Sequence, residues 1–172
     1  FLRMDAIYDT QAMDRTVVPM YVRSPDSGAP AAVRSRRDET AFSIDPRLTR
    51  LGMDFDGGGP EALGGAKLTG KIEIDFDKTN SGPSTESRQV PRIRHAWLKT
   101  AWDNDVSLLF GQTFDVISPL SPSVQGHSGG LWNAGNIGER RPQVVASWDP
   151  KAGAGRLSFA GSIGQAGAAV NN

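Results

Sequence analysis

The chain is 172 residues long, and its 19 Lys+Arg balance its 19 Asp+Glu, so it lacks the basic excess that nucleic-acid binding needs. It has no cysteine, which excludes disulfide scaffolds, zinc ribbons, iron–sulfur clusters and thiol nucleophiles, and its two histidines, His95 and His127, leave little material for a histidine metal site. The length suits one domain, the 20 glycines and 11 prolines indicate turn-rich β structure, and no apolar run approaches a membrane helix, although a membrane β-barrel would escape that test because its strands alternate.

Period-two alternation dominates, the mark of strands with two different faces. At the start, Leu2, Met4, Ala6 and Tyr8 oppose Arg3, Asp5, Ile7 and Asp9. Over 47–56, Leu51, Met53 and Phe55 oppose Arg50, Gly52, Asp54 and Asp56. The clearest case is 67–76, where Leu68, Gly70, Ile72, Ile74 and Phe76 face one way and Lys67, Thr69, Lys71, Glu73 and Asp75 the other. Strands are also expected over 92–102 and 106–115. In the first, the even positions begin with Arg92 and Arg94 and end with Ala96, Leu98, Thr100 and Trp102. Either a bulge switches the faces midway or the arginines stand above the apolar zone. Over 143–149, Val144, Ala146 and Trp148 oppose Gln143, Val145, Ser147 and Asp149. Over 156–163, Leu157, Phe159, Gly161 and Ile163 oppose Arg156, Ser158, Ala160 and Ser162. This makes seven strands and no helix, since no capped 3.6-residue stripe survives the glycines and prolines. Both ends read as cut, with Phe1 inside an alternation and 167–172 a loop, so the chain is expected to be a piece of something longer.

The connections alternate in length. Those at 10–46, 77–91 and 116–142 are long; those at 57–66, 103–105 and 150–155 are short. An outer-membrane barrel segregates its loops this way, with short periplasmic turns and long external loops. Strands of this length also suit a tilted crossing of the apolar band. Phe55, Trp102 and Trp148 lie where strands meet short connections, and Tyr8, Phe76 and Phe114 where they meet long ones, in the manner of two aromatic girdles.

Several motifs carry less than they suggest. Gly126-His127-Ser128-Gly129-Gly130 matches the nucleophile elbow G-x-S-x-G, which needs a strand before the serine and a helix after it. Here Pro119 and Pro122 precede it, and no histidine follows His127 to complete a triad. The stretch 57–65 lacks the Gly-Lys-Ser/Thr of a phosphate loop and reads as a turn. Asp103-Asn104-Asp105 reads as a tight hairpin turn, with a calcium site the minority alternative. Glu73 and Asp75, beside Lys67 and Lys71, read as a charged wall rather than an acid/base pair.

Arg3, Arg50 and Arg156 fall on polar strand faces, with Arg92 and Arg94 able to join them. The plain reading is a solvated sheet face; the functional one is a water-filled lumen lined by both charge signs, with arginines placed to hold anions. The loop 116–142 contains Ile117, Leu120, Leu131, Trp132 and Ile137, residues ill suited to open solvent, and ends in Glu139-Arg140-Arg141, a charge cluster suited to a constriction.

The sequence resembles the bacterial outer-membrane porins, most closely the DcaP-like trimeric porins. The match is carried by Arg92-Ile93-Arg94-His95-Ala96-Trp97-Leu98-Lys99, by Phe110-Gly111-Gln112-Thr113-Phe114-Asp115-Val116-Ile117-Ser118-Pro119-Leu120, by Leu131-Trp132-Asn133-Ala134-Gly135-Asn136-Ile137-Gly138 and by Arg140-Arg141-Pro142-Gln143. The opening Leu2-Arg3-Met4-Asp5-Ala6-Ile7-Tyr8-Asp9 and Arg50-Leu51-Gly52 also fit. The resemblance implies a sixteen-stranded barrel, a homotrimer, a third long loop folded into the pore, and passive diffusion of small hydrophilic solutes with a preference for anions such as dicarboxylates. It implies no catalysis and no cofactor. Seven strands is an odd number, and no aromatic-ended final strand is present, so the chain departs from the family in covering about half a barrel.

The expectation is therefore an all-β, antiparallel transmembrane β-barrel, with 1–172 forming a single partial barrel domain and 116–142 its candidate constricting loop. The candidate pore-lining residues are Arg3, Arg50, Glu73, Arg92, Arg94, Asp115, Glu139, Arg140, Arg141 and Arg156. The expected setting is the bacterial outer membrane, with lipid, lipopolysaccharide and small anionic solutes as partners, and no nucleic acid. Two alternatives stand beside it. A soluble β-sandwich carbohydrate-binding module would bury the apolar face and stack sugars on Trp97, Trp132 or Trp148. A small eight-stranded structural barrel would fill its interior with side chains and transport nothing.

Overall fold

The computed structural model describes residues 1–10, 40–79, 89–117 and 140–165. The chain divides into two compact units, one built from Phe1–Arg50, Asp75–Pro91 and Pro122–Asn136, the other from Leu51–Ile74, Arg92–Ser121 and Ile137–Asn172. The fold is all-β, with antiparallel pairing throughout the described strands. The one helical element among the described residues is a 3-10 turn at Glu61–Leu63, closed by Gly64 in the left-handed conformation.

In the first unit, β1 (Asp5–Asp9) pairs with β2 (Ala41–Asp45), placing Tyr8 opposite Phe42 and Asp5 opposite Asp45. β2 lies inside the segment 10–46 that reads as a loop. Its alternation is only Phe42-Ser43-Ile44-Asp45, too short to stand out until β1 supplies a partner. Residues 47–50, expected to open the next strand, instead lie in a turn that follows Asp45. The Asp45 Oδ1 accepts the Arg47 N–H at 2.7 Å, and the Pro46 carbonyl accepts the Thr49 N–H at 2.9 Å.

The next strands are β3 (Leu51–Gly58), β4 (Lys67–Thr79), β5 (Gln89–Ala101), β6 (Val106–Phe114) and β7 (Arg140–Trp148). Then come two-residue strands β8 (Lys151–Ala152) and β9 (Gly155–Arg156), paired with each other, and finally β10 (Phe159–Gly164). One six-stranded sheet runs β10-β7-β6-β5-β4-β3. It is open, with β3 and β10 at its edges. β4 and β5 extend past their expected limits, so residues 77–79 and 89–91 of the expected loop 77–91 are strand. Likewise 140–142, assigned to the loop 116–142, pair with β6, Arg140 lying opposite Phe114. Backbone ladders continue wherever a neighbour offers donors and acceptors, whatever the side-chain polarity. The segment 150–155 is not a simple turn but the β8–β9 hairpin, and β10 starts at Phe159, three residues later than its alternation suggests.

The sheet is inside out relative to a water-soluble protein. Leu2, Met4, Phe42 and Ile44 in the first unit are exposed, as are Ile72, Leu98, Phe110, Val144, Phe159 and Ile163 in the second. Among the described residues the buried ones are mainly polar: Asp45, Arg47, Thr49, Asp75, Arg94, Ser107, Asp115 and Gln143, against only Leu48, Ala66 and Val145 among hydrophobics. Soluble proteins almost never bury Asp and Arg ahead of Leu, Ile and Phe.

The undecided faces of 92–102 and 106–115 resolve. Ile93 and Leu98 are both exposed, five positions apart, while Arg94 is buried, so the outward parity changes within β5. Leu98 and Phe110 then pair on the exposed face. Nearby, Gly111 opposes Trp97 at φ 125°, and a Cβ there would lie 2.2 Å from the Ala96 carbonyl oxygen. Only glycine fits such a backbone at that approach.

Candidate functional site

The polar face of the second unit carries alternating charge across three strands, exposed at Asp54 on β3 and buried at Arg94 on β5. In the β3–β4 register Asp54 opposes Lys71, and the Lys71 Nζ lies 3.2 Å from the Asp54 Oδ1 and 3.7 Å from the Glu73 Oε2. The Arg94 Nε donates to the Glu73 Oε1 at 2.7 Å. Arg94 and Glu73 are both largely buried, so each neutralises a charge that would otherwise sit dry. Next to Arg94, the His95 Nδ1 lies 3.1 Å from the Thr113 Oγ1, and the His95 ring meets the Phe114 ring edge-on at 5.3 Å.

A second group gathers where β6 ends and β7 begins. The Arg141 Nε lies 2.8 Å from the Asp115 Oδ1, and an Arg141 terminal nitrogen donates to the Gln165 carbonyl at 3.2 Å. The Arg140 guanidinium lies 5.0 Å from the centre of the Phe114 ring, a cation–π contact. Gln143, buried, donates from Nε2 to the Thr113 and Phe114 carbonyls at 3.0 and 2.8 Å, which fixes the end of β6. A recess of about 190 Å³ opens beside Asp115 and Arg141.

The first unit repeats the theme. The Arg3 Nε lies 2.8 Å from the Asp5 Oδ1, and Arg47 forms an ion pair with Asp45. These two pairs answer a problem set by the register, because Asp5 and Asp45 face each other directly and like charges in that position repel. Thr49 ties the group to the chain start, its hydroxyl accepting the Arg3 N–H and donating to the Arg3 carbonyl, each at 3.1 Å. Arg50 lies over the Phe1 ring at 5.4 Å.

Of the ten candidate residues, Glu73 and Arg94 meet in one cluster, and Asp115, Arg140 and Arg141 share another. Arg3 and Arg50 lie in the first unit, and Arg92 is half-buried on β5 with a partner of its own. Glu139 lies outside the described residues, as does most of the loop 116–142 with the motif 126–130. Arg156 is displaced: it is exposed on β9 rather than on the long strand, and its guanidinium pairs with Asp105. The reason is local, since Gly153 at φ 59° and Gly155 turn the chain before the alternation of β10 begins.

Four participants escape the sequence reading. Lys71 reads there as part of a wall, His95 sits on a strand of undecided face, and Gln143 carries no charge to draw notice. Arg47 lies in a turn that the alternation reads as strand. Asp103-Asn104-Asp105 does form the tight turn between β5 and β6, with the Asn104 Oδ1 accepting the Val106 N–H at 3.3 Å and Asp105 at φ 64°. Among the described residues no group of three or more His, Cys, Asp or Glu is placed to hold a metal ion.

Each charged group holds both signs of charge in fixed positions on its own unit. Comparison of the chain with known protein families, curated proteins and solved structures finds no match.

Proposed function

We propose that this chain is part of an outer-membrane porin, a passive channel for small hydrophilic anions such as dicarboxylates. One observation carries the reading: across β4–β7, Ile72, Leu98, Phe110 and Val144 are exposed while Asp75, Arg94, Ser107 and Gln143 on the opposite face are buried, with Glu73–Arg94 and Asp115–Arg141 paired. Lipid is the medium that favours that arrangement, since it accepts Ile72, Leu98 and Phe110 and rejects Glu73, Arg94 and Asp115. A soluble sandwich would cover the exposed face with a second sheet, so the exposure of Ile72 and Phe110 weighs against that alternative.

Further support comes from the strand ends at the short connections. Trp148 stacks on Phe159 with centroids 5.6 Å apart, and the Trp102 Nε1 donates to the Leu63 carbonyl at 3.1 Å. Aromatic rings with one polar contact and one apolar side suit a headgroup boundary. The open sheet, with edges at β3 and β10, fits part of a sixteen-stranded barrel whose remaining strands belong to a longer protein, with three such barrels expected to assemble as a homotrimer. Such a channel needs no cofactor and performs no chemistry. Its expected location is the outer membrane, in contact with phospholipid and lipopolysaccharide.

The test is reconstitution. The reading requires the chain to fold only with detergent or lipid and the complete barrel to conduct ions across planar bilayers. A folded, detergent-free monomer would overturn it.

A further inference from the structure

The β8–β9 hairpin folds back over the β5–β6 end of the second unit. It is held by the Arg156–Asp105 ion pair, by Arg156 Nε donating to the Asp149 carbonyl at 3.2 Å, and by the Asp149 N–H donating to the Asp105 carbonyl at 2.9 Å. The Leu157 N–H closes the hairpin base on the Pro150 carbonyl at 3.1 Å. Between hairpin and strands lies an open recess of about 470 Å³.

Its lining separates into two kinds. Trp102, Val106 and Leu157 supply an apolar side, while Lys99 and Asp149 supply opposite charges. Arg156 and Asp105 also line the recess but neutralise each other. Asp149 uses its Oδ1 to accept the Ser158 hydroxyl, leaving Oδ2. Among the described residues Lys99 makes no hydrogen bond or ion pair. One ammonium and one carboxylate oxygen therefore remain uncommitted around an apolar wall.

We infer that this recess binds a small zwitterion with an apolar body, of the chemical class of the free aliphatic α-amino acids. Lys99 faces the ligand carboxylate, Asp149 its ammonium, and Trp102 with Leu157 the side chain. A simple anion would meet Lys99 but be repelled by Asp149, and a simple cation the reverse. The recess is built from the second unit alone, so the inference does not depend on the membrane reading.

Ligand-observed NMR of the folded chain with L-leucine tests it, with 4-methylpentanoate and isoamylamine as probes lacking one charge each. Leucine is expected to saturate, and each analogue to bind about tenfold more weakly, the order expected for one lost charge-assisted contact. Asp149→Asn keeps the acceptor for Ser158 and should erase the preference for leucine over 4-methylpentanoate; Lys99→Met should erase that over isoamylamine. Absence of saturable leucine binding, or equal binding of all three probes by the unsubstituted chain, would overturn the inference without recourse to any variant.

Discussion

Arg94 and Glu73 join β5 to β4 through a 2.7 Å contact between Nε and Oε1, and both side chains are largely shielded from solvent. Burying such a pair is unfavourable unless each charge keeps its partner, so the two residues act as one unit.

Replacing Arg94 alone with Met should cost about 1.5–3 kcal/mol, because it removes the shorter cation contact of the largely buried Glu73 carboxylate and leaves Lys71 at 3.7 Å. The double variant Arg94→Met/Glu73→Leu should recover most of that loss. Urea midpoints of the three chains measure the cycle, and a double variant no more stable than Arg94→Met would refute the coupling.

Gly111→Ala should weaken the β5–β6 pairing by about 2 kcal/mol or more, since the new methyl meets the Ala96 carbonyl oxygen and the Trp97 Cα at a positive φ. The chemical-denaturation midpoint measures this. Gly161→Ala is the matched control, because a Cβ there meets nothing within 4 Å and the midpoint should move little.

The medium of the exposed face can be read by charge. Phe110→Arg should cost about 2–4 kcal/mol in vesicles if that face lies near the bilayer midplane. On a water-exposed face the same change should fall within about 0.5 kcal/mol. Folding in phospholipid vesicles, followed by tryptophan fluorescence, separates the two values, and a neutral result would count against a lipid-facing side.

On the porin reading, Arg140 and Arg141 help set ion preference. Changing both to Ala should move the reversal potential under a salt gradient toward the cation side. An unshifted potential in the complete barrel would remove them from the selectivity path. Arg140→Ala alone should shift the potential in the same direction while leaving the Arg141–Asp115 pair in place.

The strands over 67–76 and 143–149 were legible because alternation is a local property: each residue's side follows from its parity. β2 was not, since four alternating residues ahead of a proline carry little signal without β1 opposite them. The true limits of β4, β5 and β7 were hidden for a related reason, since ladders extend according to the neighbouring backbone. Arg156 was assigned to the wrong element because Arg156 and Leu157 happen to fall in phase with Phe159, although the turn at Gly153 separates them.

The candidate site was legible in type and less so in partnership. Acidic and basic residues on the polar faces could be named, but the pairing of Arg94 with Glu73, and of Arg141 with Asp115, joins residues 21 and 26 positions apart through strand register. The sequence by itself determined that the chain is all-β, that its strands have one apolar and one charged face, and that glycine-rich and Asn/Asp turns separate them. Only the tertiary structure decided which face is covered, where β5 changes parity, and which charges meet. Parity distinguishes two sides of a strand but cannot say which is covered, because burial and ion pairing depend on segments distant in sequence.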